Sequence, residues 1–226
     1  MTPPSIPTAG PSRLRDRMRQ SPATAALVAA FIAVYVATWF DPGERIFLAF
    51  AKLNDRILAG EVWRLFTASF LHAGLMHIWF NGMAVASIGP AIERVYGRRR
   101  YLMVFLLGGA AGMAASVLFV PQPSVGASAG VFALLGVLLA YALRYRDRLD
   151  PRARQALIKQ VLFVVGLNVA LGLLSGFIDN AAHLGGLAGG FVMGFVVRPS
   201  QDLFGPAPGV GTPAGDGAPP GARGRW

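Results

Sequence analysis

Long apolar segments separated by short polar breaks dominate the chain between residues 23 and 198. Six of these segments approach the roughly 20 residues that a helix needs to cross a bilayer. We predict membrane spans at 23–40, 75–92, 101–120, 127–143, 156–177 and 181–197. The first run could instead be a signal peptide, but it continues through bulky residues without a small-residue cleavage site. The pattern therefore predicts an all-α integral membrane protein, a compact bundle of six transmembrane helices.

The polar segments outside the spans have distinct characters. Residues 1–22 combine prolines with arginines and are expected to form a solvated, cytoplasmic basic tail. Residues 41–71 carry four acids and four bases between apolar patches, which predicts an interfacial, partly embedded first loop. Residues 199–226 are rich in Gly and Pro with few large apolar side chains, so we expect a disordered cytoplasmic tail. The membrane domain is thus predicted over 23–198.

The distribution of basic residues predicts the orientation. If the N-terminus is cytoplasmic, the inner segments between residues 13 and 198 hold fifteen Lys and Arg, and the outer segments hold four. Such an excess on one side is typical of cytoplasmic loops. We therefore expect both termini in the cytoplasm, and the Arg- and Ala-rich composition favours a bacterial inner membrane.

Composition narrows the function classes. Of the 226 residues 54% are hydrophobic and only 14% are charged, which indicates a lipid-embedded chain. The net charge of +10 sits in clusters between apolar runs, so it indicates topology and not nucleic-acid binding. The absence of cysteine excludes disulfides and thiolate chemistry.

Four polar side chains within the predicted spans are candidates for function, because polar groups are costly in a membrane. His77 lies in the first turn of the second span, and Asn81 follows at i+4 on the same face. Ser128 and His183 lie in the first turns of the fourth and sixth spans. All three spans are predicted to begin on the outer side. The four residues are therefore expected at one depth, in the outer third of the membrane.

Their chemistry is complementary. A serine hydroxyl becomes a good nucleophile when a neighbouring base takes its proton, and histidine suits that task near neutral pH. Attack on an amide then places negative charge on oxygen, which needs preorganised donors. An imidazole, an Asn amide and the backbone N–H groups at a helix start are donors of this kind.

Several spaced motifs resemble the signatures of one family. They are Glu61–Arg64, His72–His77, Asn81, Gly89, Glu93, Gly97, Gly126–Ser128, Ala182–Gly186 and Gly190. In this order, from Trp63 to Gly190, the chain resembles the rhomboid family of intramembrane serine proteases.

The resemblance implies a six-helix core and cleavage of transmembrane segments of other proteins, without metal or cofactor. It implies Ser128 as nucleophile, His183 as its base, and His77 and Asn81 as oxyanion-hole side chains. Phe132 matches an aromatic position that stacks on the catalytic imidazole.

One position departs from the pattern. Ala129 follows the serine, where the commonest family pattern has Gly. The departure bears on the fine geometry of the oxyanion hole.

Other motif residues have both structural and functional interpretations. Gly186 and Gly190 form a G-x-x-x-G pair, ordinary in helix packing, which would also bring the sixth helix and its imidazole close to the fourth. Trp63 and Arg64 form an interfacial anchor, to which the resemblance adds a role in holding the first loop. Gly126 and its small neighbours limit bulk beside Ser128, and the resemblance implies a small substrate residue before the cut.

Three alternative assignments are weaker. Asp179 lies four residues before His183 and could complete a triad, but its position at a helix start favours an N-terminal cap or a loop charge. The motif from Gly126 to Gly130 also fits the hydrolase nucleophile elbow, which requires a preceding strand that the sequence does not predict. His72 and His77 miss the i, i+4 metal spacing, and His72 is expected to anchor the loop by a hydrogen bond.

Other functions compete with proteolysis by this dyad. The sequence lacks H-E-x-x-H and a membrane-embedded aspartate pair, and the inner halves of the spans have few ionisable residues to form a transport path. A catalytically inactive relative that only binds proteins is the serious rival, although both Ser128 and His183 are present. The expected partners are membrane lipid and transmembrane protein substrates, without nucleic acid, metal or cofactor.

Overall fold

A computed structural model describes residues 11–41 and 44–201, and nearly all of their regular structure is helical. Within these residues no strand forms, and Lys52 and Ser124 make an isolated antiparallel bridge. The helices are α1 (Pro11–Gln20), α2 (Pro22–Trp39), α3 (Arg45–Phe50), α4 (Asn54–Leu58), α5 (Arg64–Thr67), α6 (Leu75–Tyr96), α7 (Arg98–Phe119), α8 (Ser128–Arg144), α9 (Pro151–Ser175) and α10 (Asn180–Val196). Short 3₁₀ helices lie at Ala68–Phe70 and Arg146–Arg148.

The six predicted apolar segments coincide with α2, α6, α7, α8, α9 and α10, with ends that differ by a few residues. Four of these helices, α2, α6, α7 and α9, are long and apolar enough to cross a membrane in the described part of the chain. The other two are 17 residues long, and α10 is rich in glycine. An all-α membrane fold is confirmed, while the count of six spans stays a prediction.

Helix α8 forms the centre of the bundle. Of its 17 residues 13 are buried, which explains why an apolar helix without a polar face forms here. Helix α9 lies at the periphery, since over its 25 residues only Val161 and Gly172 are buried. Its exposed apolar side chains, such as Phe163 and Leu174, suit a lipid-facing surface. Ser128, the first residue of α8, therefore belongs to the most enclosed of the described helices.

Small residues allow α10 to approach α7 and α8 closely. A methyl group at Gly186 would overlap the carbonyl oxygen of Ala129, and one at Gly190 would overlap that of Ala133. On α8, a methyl group at Gly136 would overlap the carbonyl oxygen of Leu187. Close backbone approach of this kind is the usual role of small residues between membrane helices. It fixes the position of α10 along α8.

Glu93 joins α2 to α6. Its buried carboxylate accepts hydrogen bonds from the backbone N–H groups of Ala23 (3.0 Å) and Thr24 (2.8 Å) and from the Thr24 hydroxyl (2.8 Å). These N–H groups lie in the first turn of α2, which Pro22 begins, and they have no partner within the helix. A residue of another helix thus caps α2.

The N-terminal segment differs in part from the expectation. The solvated basic tail predicted for residues 1–22 contains a helix, α1, which contacts α2 and α6. Pro11 begins it, and arginine is a good helix former. Residues 1–10 and the predicted disordered tail from residue 202 onward lie outside the described residues. The cytoplasmic location of both tails stays a prediction.

The first loop contains the short helices α3, α4 and α5. Several of its large apolar side chains are exposed, among them Leu48, Leu58, Val62 and Trp63. A membrane interface accommodates such side chains beside charged ones. The loop thus has the composition and the exposure expected of an interfacial segment.

Candidate active site

Ser128 is the first residue of α8 and is half-buried. The connection from α7 reaches it through Gly126, whose φ of 120° lies in a region that favours glycine. The backbone N–H of Gly126 donates to the carbonyl oxygen of Ala68 at 2.9 Å, which ties the connection to the first loop. The turn leaves the serine hydroxyl at the start of a buried helix.

His77 and Asn81 lie against this turn. A Cβ at Gly126 would be 2.5 Å from His77 Nε2 and 3.6 Å from Asn81 Nδ2. Asn81 is 6% exposed, and its amide donates to the carbonyl oxygen of His77 at 3.1 Å. Because Gly126 has no side chain, it leaves room for the side chains of His77 and Asn81. Gly126 precedes Ser128 by two residues, so both side chains pack against the turn that leads to the serine. Both side chains can donate hydrogen bonds.

His183 lies in the first turn of α10 and is 4% exposed. Its imidazole stacks on the Phe132 ring, with the centroids 4.2 Å apart and the planes at 16°. Phe132 lies one turn after Ser128 on α8, so the stacking places the imidazole beside the start of that helix. Nδ1 of His183 is buried without a hydrogen-bond partner among the described residues.

The crossing of α7, α8 and α10 brings the serine and histidine segments together. Ala129 and Ala182, the neighbours of Ser128 and His183, belong to one buried apolar cluster. Gly112 of α7 lies between them, because a Cβ there would overlap the Ala182 carbonyl oxygen and lie 2.9 Å from the Ala129 Cβ. The methyl group of Ala129 therefore packs toward α7, which explains how a residue larger than glycine fits directly after Ser128.

Asp179 is the N-cap of α10, as predicted. One carboxylate oxygen accepts a hydrogen bond from Ala182 N at 2.9 Å. The other accepts hydrogen bonds from the hydroxyls of Ser116 and Ser124, the latter at 2.5 Å. Asp179 therefore connects the start of α10 to the end of α7 and to the connection that leads to Ser128.

The first loop holds the α7–α8 connection through Lys52. The amine of this fully buried side chain donates to the carbonyl oxygens of Val120 (2.5 Å) and Gln122 (3.0 Å). The Asn54 amide donates to Val117 O (3.2 Å) and Val120 O (3.1 Å) at the end of α7. Burial lowers the pKa of Lys52, and the Asp179 carboxylate opposes that shift. No sequence signal identifies these residues, because their partners are backbone carbonyls.

Trp63 and Arg64 hold the first loop. Arg64 is 3% exposed, donates to the carbonyl oxygen of Ala51 at 3.0 Å and pairs with Glu61. The Trp63 indole donates to the carbonyl oxygen of Ala49 at 3.3 Å. These bonds join α5 to the segment that carries Lys52.

His72 differs from the expectation of a hydrogen-bonded anchor. Both ring nitrogens are buried without a hydrogen-bond partner of normal geometry among the described residues. The ring instead packs against Phe31 and His77, with centroid distances of 5.3 and 5.2 Å. Burial, followed by the neighbouring His77, lowers the pKa of His72 to about 4, so the ring is neutral near pH 7. It supports His77 by apolar contact.

Comparison with known proteins identifies the family. The family model of the Rhomboid domain matches residues 59–200. Rhomboid protease GluP of Bacillus subtilis is 41% identical over 141 residues, which cover 62% of this chain and 27% of GluP. RHOMBOID-like protein 9, chloroplastic, of Arabidopsis thaliana is 35% identical over 153 residues, covering 68% of this chain and 35% of that protein.

A shorter relative matches over more of its length. Putative rhomboid protease YdcA of Bacillus subtilis is 36% identical over 147 residues, which cover 63% of this chain and 71% of YdcA. In GluP and the chloroplastic relative, by contrast, the match spans about a third or less of the protein. Residues 59–200, which the family model matches, contain His77, Asn81, Ser128 and His183. This chain is an integral membrane protein that belongs to the rhomboid family.

Proposed function

We propose that this protein is an intramembrane serine endopeptidase that cleaves transmembrane segments of other membrane proteins near the outer face. The observation that carries the proposal is the convergence of His77, Asn81 and the Phe132-stacked His183 on the start of α8, where Ser128 is half-buried. Relatives named rhomboid proteases support the same assignment.

In this mechanism Ser128 Oγ attacks the carbonyl carbon of the substrate while the imidazole of His183 takes the hydroxyl proton. The negative charge that develops on the carbonyl oxygen is stabilised by His77, Asn81 and the backbone N–H groups at the start of α8. The imidazolium then gives its proton to the leaving amine. Water, activated in turn by the imidazole, hydrolyses the acyl-enzyme and regenerates Ser128.

The position of the site supports cleavage in the outer part of the substrate. With the predicted orientation, Ser128 and His183 begin helices that enter from the outside, where water for deacylation is close. A helical substrate hides its carbonyl groups in i to i−4 hydrogen bonds, so it must unwind locally. Gly, Pro and small polar residues make that unwinding easier. Small residues on both sides of Ser128 limit the bulk beside its hydroxyl, and the family resemblance implies a small substrate residue before the scissile bond.

A serine-directed probe tests the nucleophile. A fluorophosphonate should label the reconstituted wild type and Ser87→Ala, which removes an exposed serine of α6, and should not label Ser128→Ala. Both Ser128→Ala and His183→Ala should abolish cleavage of a model transmembrane substrate while the thermal unfolding stays cooperative. Cleavage by purified Ser128→Ala would overturn the dyad. A protein that only binds substrates would retain them without cutting them.

The position of the cut in the substrate tests the proposed depth of the active site in the membrane. Mass spectrometry of the fragments should place the cut in the outer half of the substrate segment, and a uniform poly-Leu segment should be cut far more slowly. A cut in the cytoplasmic half would contradict the proposed orientation, and equal cutting of poly-Leu would contradict the requirement for unwinding.

A further inference from the structure

A cavity of about 470 Å³ lies where α8 and α10 end, away from Ser128 and His183. It is lined by three arginines, Arg144, Arg148 and Arg198, and no acidic residue lines it. Within the described residues none of the three forms an ion pair. Guanidinium groups stay charged at every physiological pH, so the cavity carries concentrated positive charge without a counter-ion from the described chain.

Two of the arginines are held on one side of the cavity. Arg144 Nη1 donates to the carbonyl oxygens of Gly194 (3.2 Å) and Phe195 (2.6 Å) at the end of α10. The guanidinium carbons of Arg144 and Arg148 lie 5.3 and 5.6 Å from the centroid of the Tyr145 ring. Contact with one aromatic ring restricts both groups. The remaining donors of the two guanidiniums are available to an anion.

The segment that follows α10 forms the other side. The backbone N–H groups of Ser200 and Gln201 donate to the carbonyl oxygen of Val95 at 2.6 and 3.1 Å. The Ser200 hydroxyl accepts a hydrogen bond from Arg100 at 2.5 Å. These bonds fix the chain two residues after Arg198. The three positive charges are therefore arranged by the fold.

Apolar side chains that are close in sequence to the arginines of the cavity are exposed. Leu143, directly before Arg144, is 44% exposed, and Val196, two residues before Arg198, is 76% exposed. In an integral membrane protein exposed side chains of this kind face lipid. The arginines follow where the apolar surface ends, which is the depth of the phospholipid headgroups.

We propose that this cavity binds the phosphate group of an anionic phospholipid. Arginine binds phosphate by paired, charge-assisted hydrogen bonds, and basic pockets between membrane helices are suited to anionic headgroups. A free phosphate ion presents the same oxygens to the arginines. The lipid is favoured because its acyl chains cover the exposed Leu143 and Val196, which a free ion leaves bare.

Native mass spectrometry tests the proposal. The protein is reconstituted in vesicles of equal amounts of phosphatidylglycerol and phosphatidylcholine and then extracted in detergent. The masses of the protein–lipid complexes show which lipid stays bound. Wild type should retain phosphatidylglycerol about tenfold over phosphatidylcholine, and the double variant Arg148→Gln/Arg198→Gln should lose that preference. Arg146→Gln/Arg152→Gln removes the same charge from exposed positions that do not line the cavity, and it should behave as wild type. Arg144 is left unchanged because it also bonds to α10.

Any one of four results would overturn the lipid site. The first is equal retention of the two lipids by wild type, and the second is equal loss of preference in both double variants. The third is displacement of phosphatidylglycerol by an equimolar amount of inorganic phosphate, which would identify a free anion as the ligand. Asp202→Asn is included because Asp202 follows the cavity segment in sequence. Retention of phosphatidylglycerol by this variant alone would show that the chain's own carboxylate occupies the cavity and would also overturn the proposal.

Discussion

Both oxygens of the Asp179 carboxylate are used by groups other than the imidazole of His183. One oxygen caps α10 at Ala182 N, and the other accepts from two serine hydroxyls of α7 and the α7–α8 connection. A triad would require this carboxylate to accept from the imidazole. The position of His183 is instead determined by its stacking on Phe132 and by the packing of α10.

We therefore expect Asp179→Asn to retain activity within about tenfold. The amide keeps one acceptor oxygen for the cap, and the two hydroxyls can rotate to accept from its NH₂ group. Loss of the orienting acid from a triad costs roughly 10⁴-fold in kcat. Rates with a model substrate distinguish the two cases. A loss of roughly 10⁴-fold in kcat, in a protein whose thermal unfolding is unchanged, would contradict the dyad.

Asp179→Ala, which leaves buried hydroxyls without a partner, should lower the free energy of unfolding by about 1–3 kcal/mol.

The polar residues of the candidate site could be selected from the sequence because their spacing carries information. His77 and Asn81 are one helical turn apart, and Ser128 and His183 each follow a polar break at a helix start. Lys52 gave no such signal. A lysine in a charged loop is usually solvated, and only the fold reveals that its amine is buried against the carbonyl oxygens of Val120 and Gln122.

At the scale of elements, the first loop stabilises the connection that leads to Ser128. It bonds to that connection through the Lys52 amine, through the antiparallel bridge between Lys52 and Ser124, and through Gly126 N to Ala68 O. Asp179 attaches the start of α10 to the same connection at Ser124. The first loop thus acts on the geometry of Ser128 through the connection that precedes it.

We expect Lys52→Met to lower both the stability and the activity. Methionine fills a similar volume but removes the amine that bonds to the carbonyl oxygens of Val120 and Gln122, of which Val120 O keeps the Asn54 amide as a donor. We expect a loss of about 1–3 kcal/mol in the free energy of unfolding. Thermal unfolding in detergent and kcat/KM with a model substrate provide the measurement. The control is Arg56→Met, a change in the same loop whose side chain is 60% exposed and lies 3.6 Å from Glu61; a pair of this kind contributes little.

Two outcomes separate a positioning role from general stability. If Lys52 positions the Ser128 connection, kcat should fall at temperatures where the variant is still fully folded, with KM little changed. If Lys52→Met and Arg56→Met had the same thermal unfolding and the same kcat/KM, any role for the buried amine would be contradicted.

At the scale of the whole molecule, the apolar pattern predicted the helices well and their lengths less well. Each predicted span corresponds to one helix because a bilayer leaves backbone polar groups no other partner. Helix ends depend on local caps such as Asp150, which accepts from Arg152 N and Ala153 N, and they extend beyond the apolar residues. The α1 helix was missed because its sequence is polar, and its packing on α2 and α6 is a tertiary effect.

The number of spans determines where the charged connection between α8 and α9 lies. Helix α8 has 17 residues, which at about 1.5 Å each is close to the lower limit for crossing the roughly 30 Å hydrocarbon core. If α8 crosses, residue 146 is on the same side as residue 99; if it does not, residue 146 is on the side of residue 122.

The absence of cysteine from the chain makes this difference directly measurable, because each introduced cysteine is unique. Arg99→Cys, Gln122→Cys and Arg146→Cys are placed at exposed positions. With six spans, a membrane-impermeant maleimide added outside sealed, right-side-out vesicles should label residue 122 and spare residues 99 and 146. All three should react after permeabilisation. Labelling of residue 146 together with residue 122 would mean that α8 does not cross. Labelling of residues 99 and 146 without residue 122 would reverse the predicted orientation and place Ser128 on the cytoplasmic side.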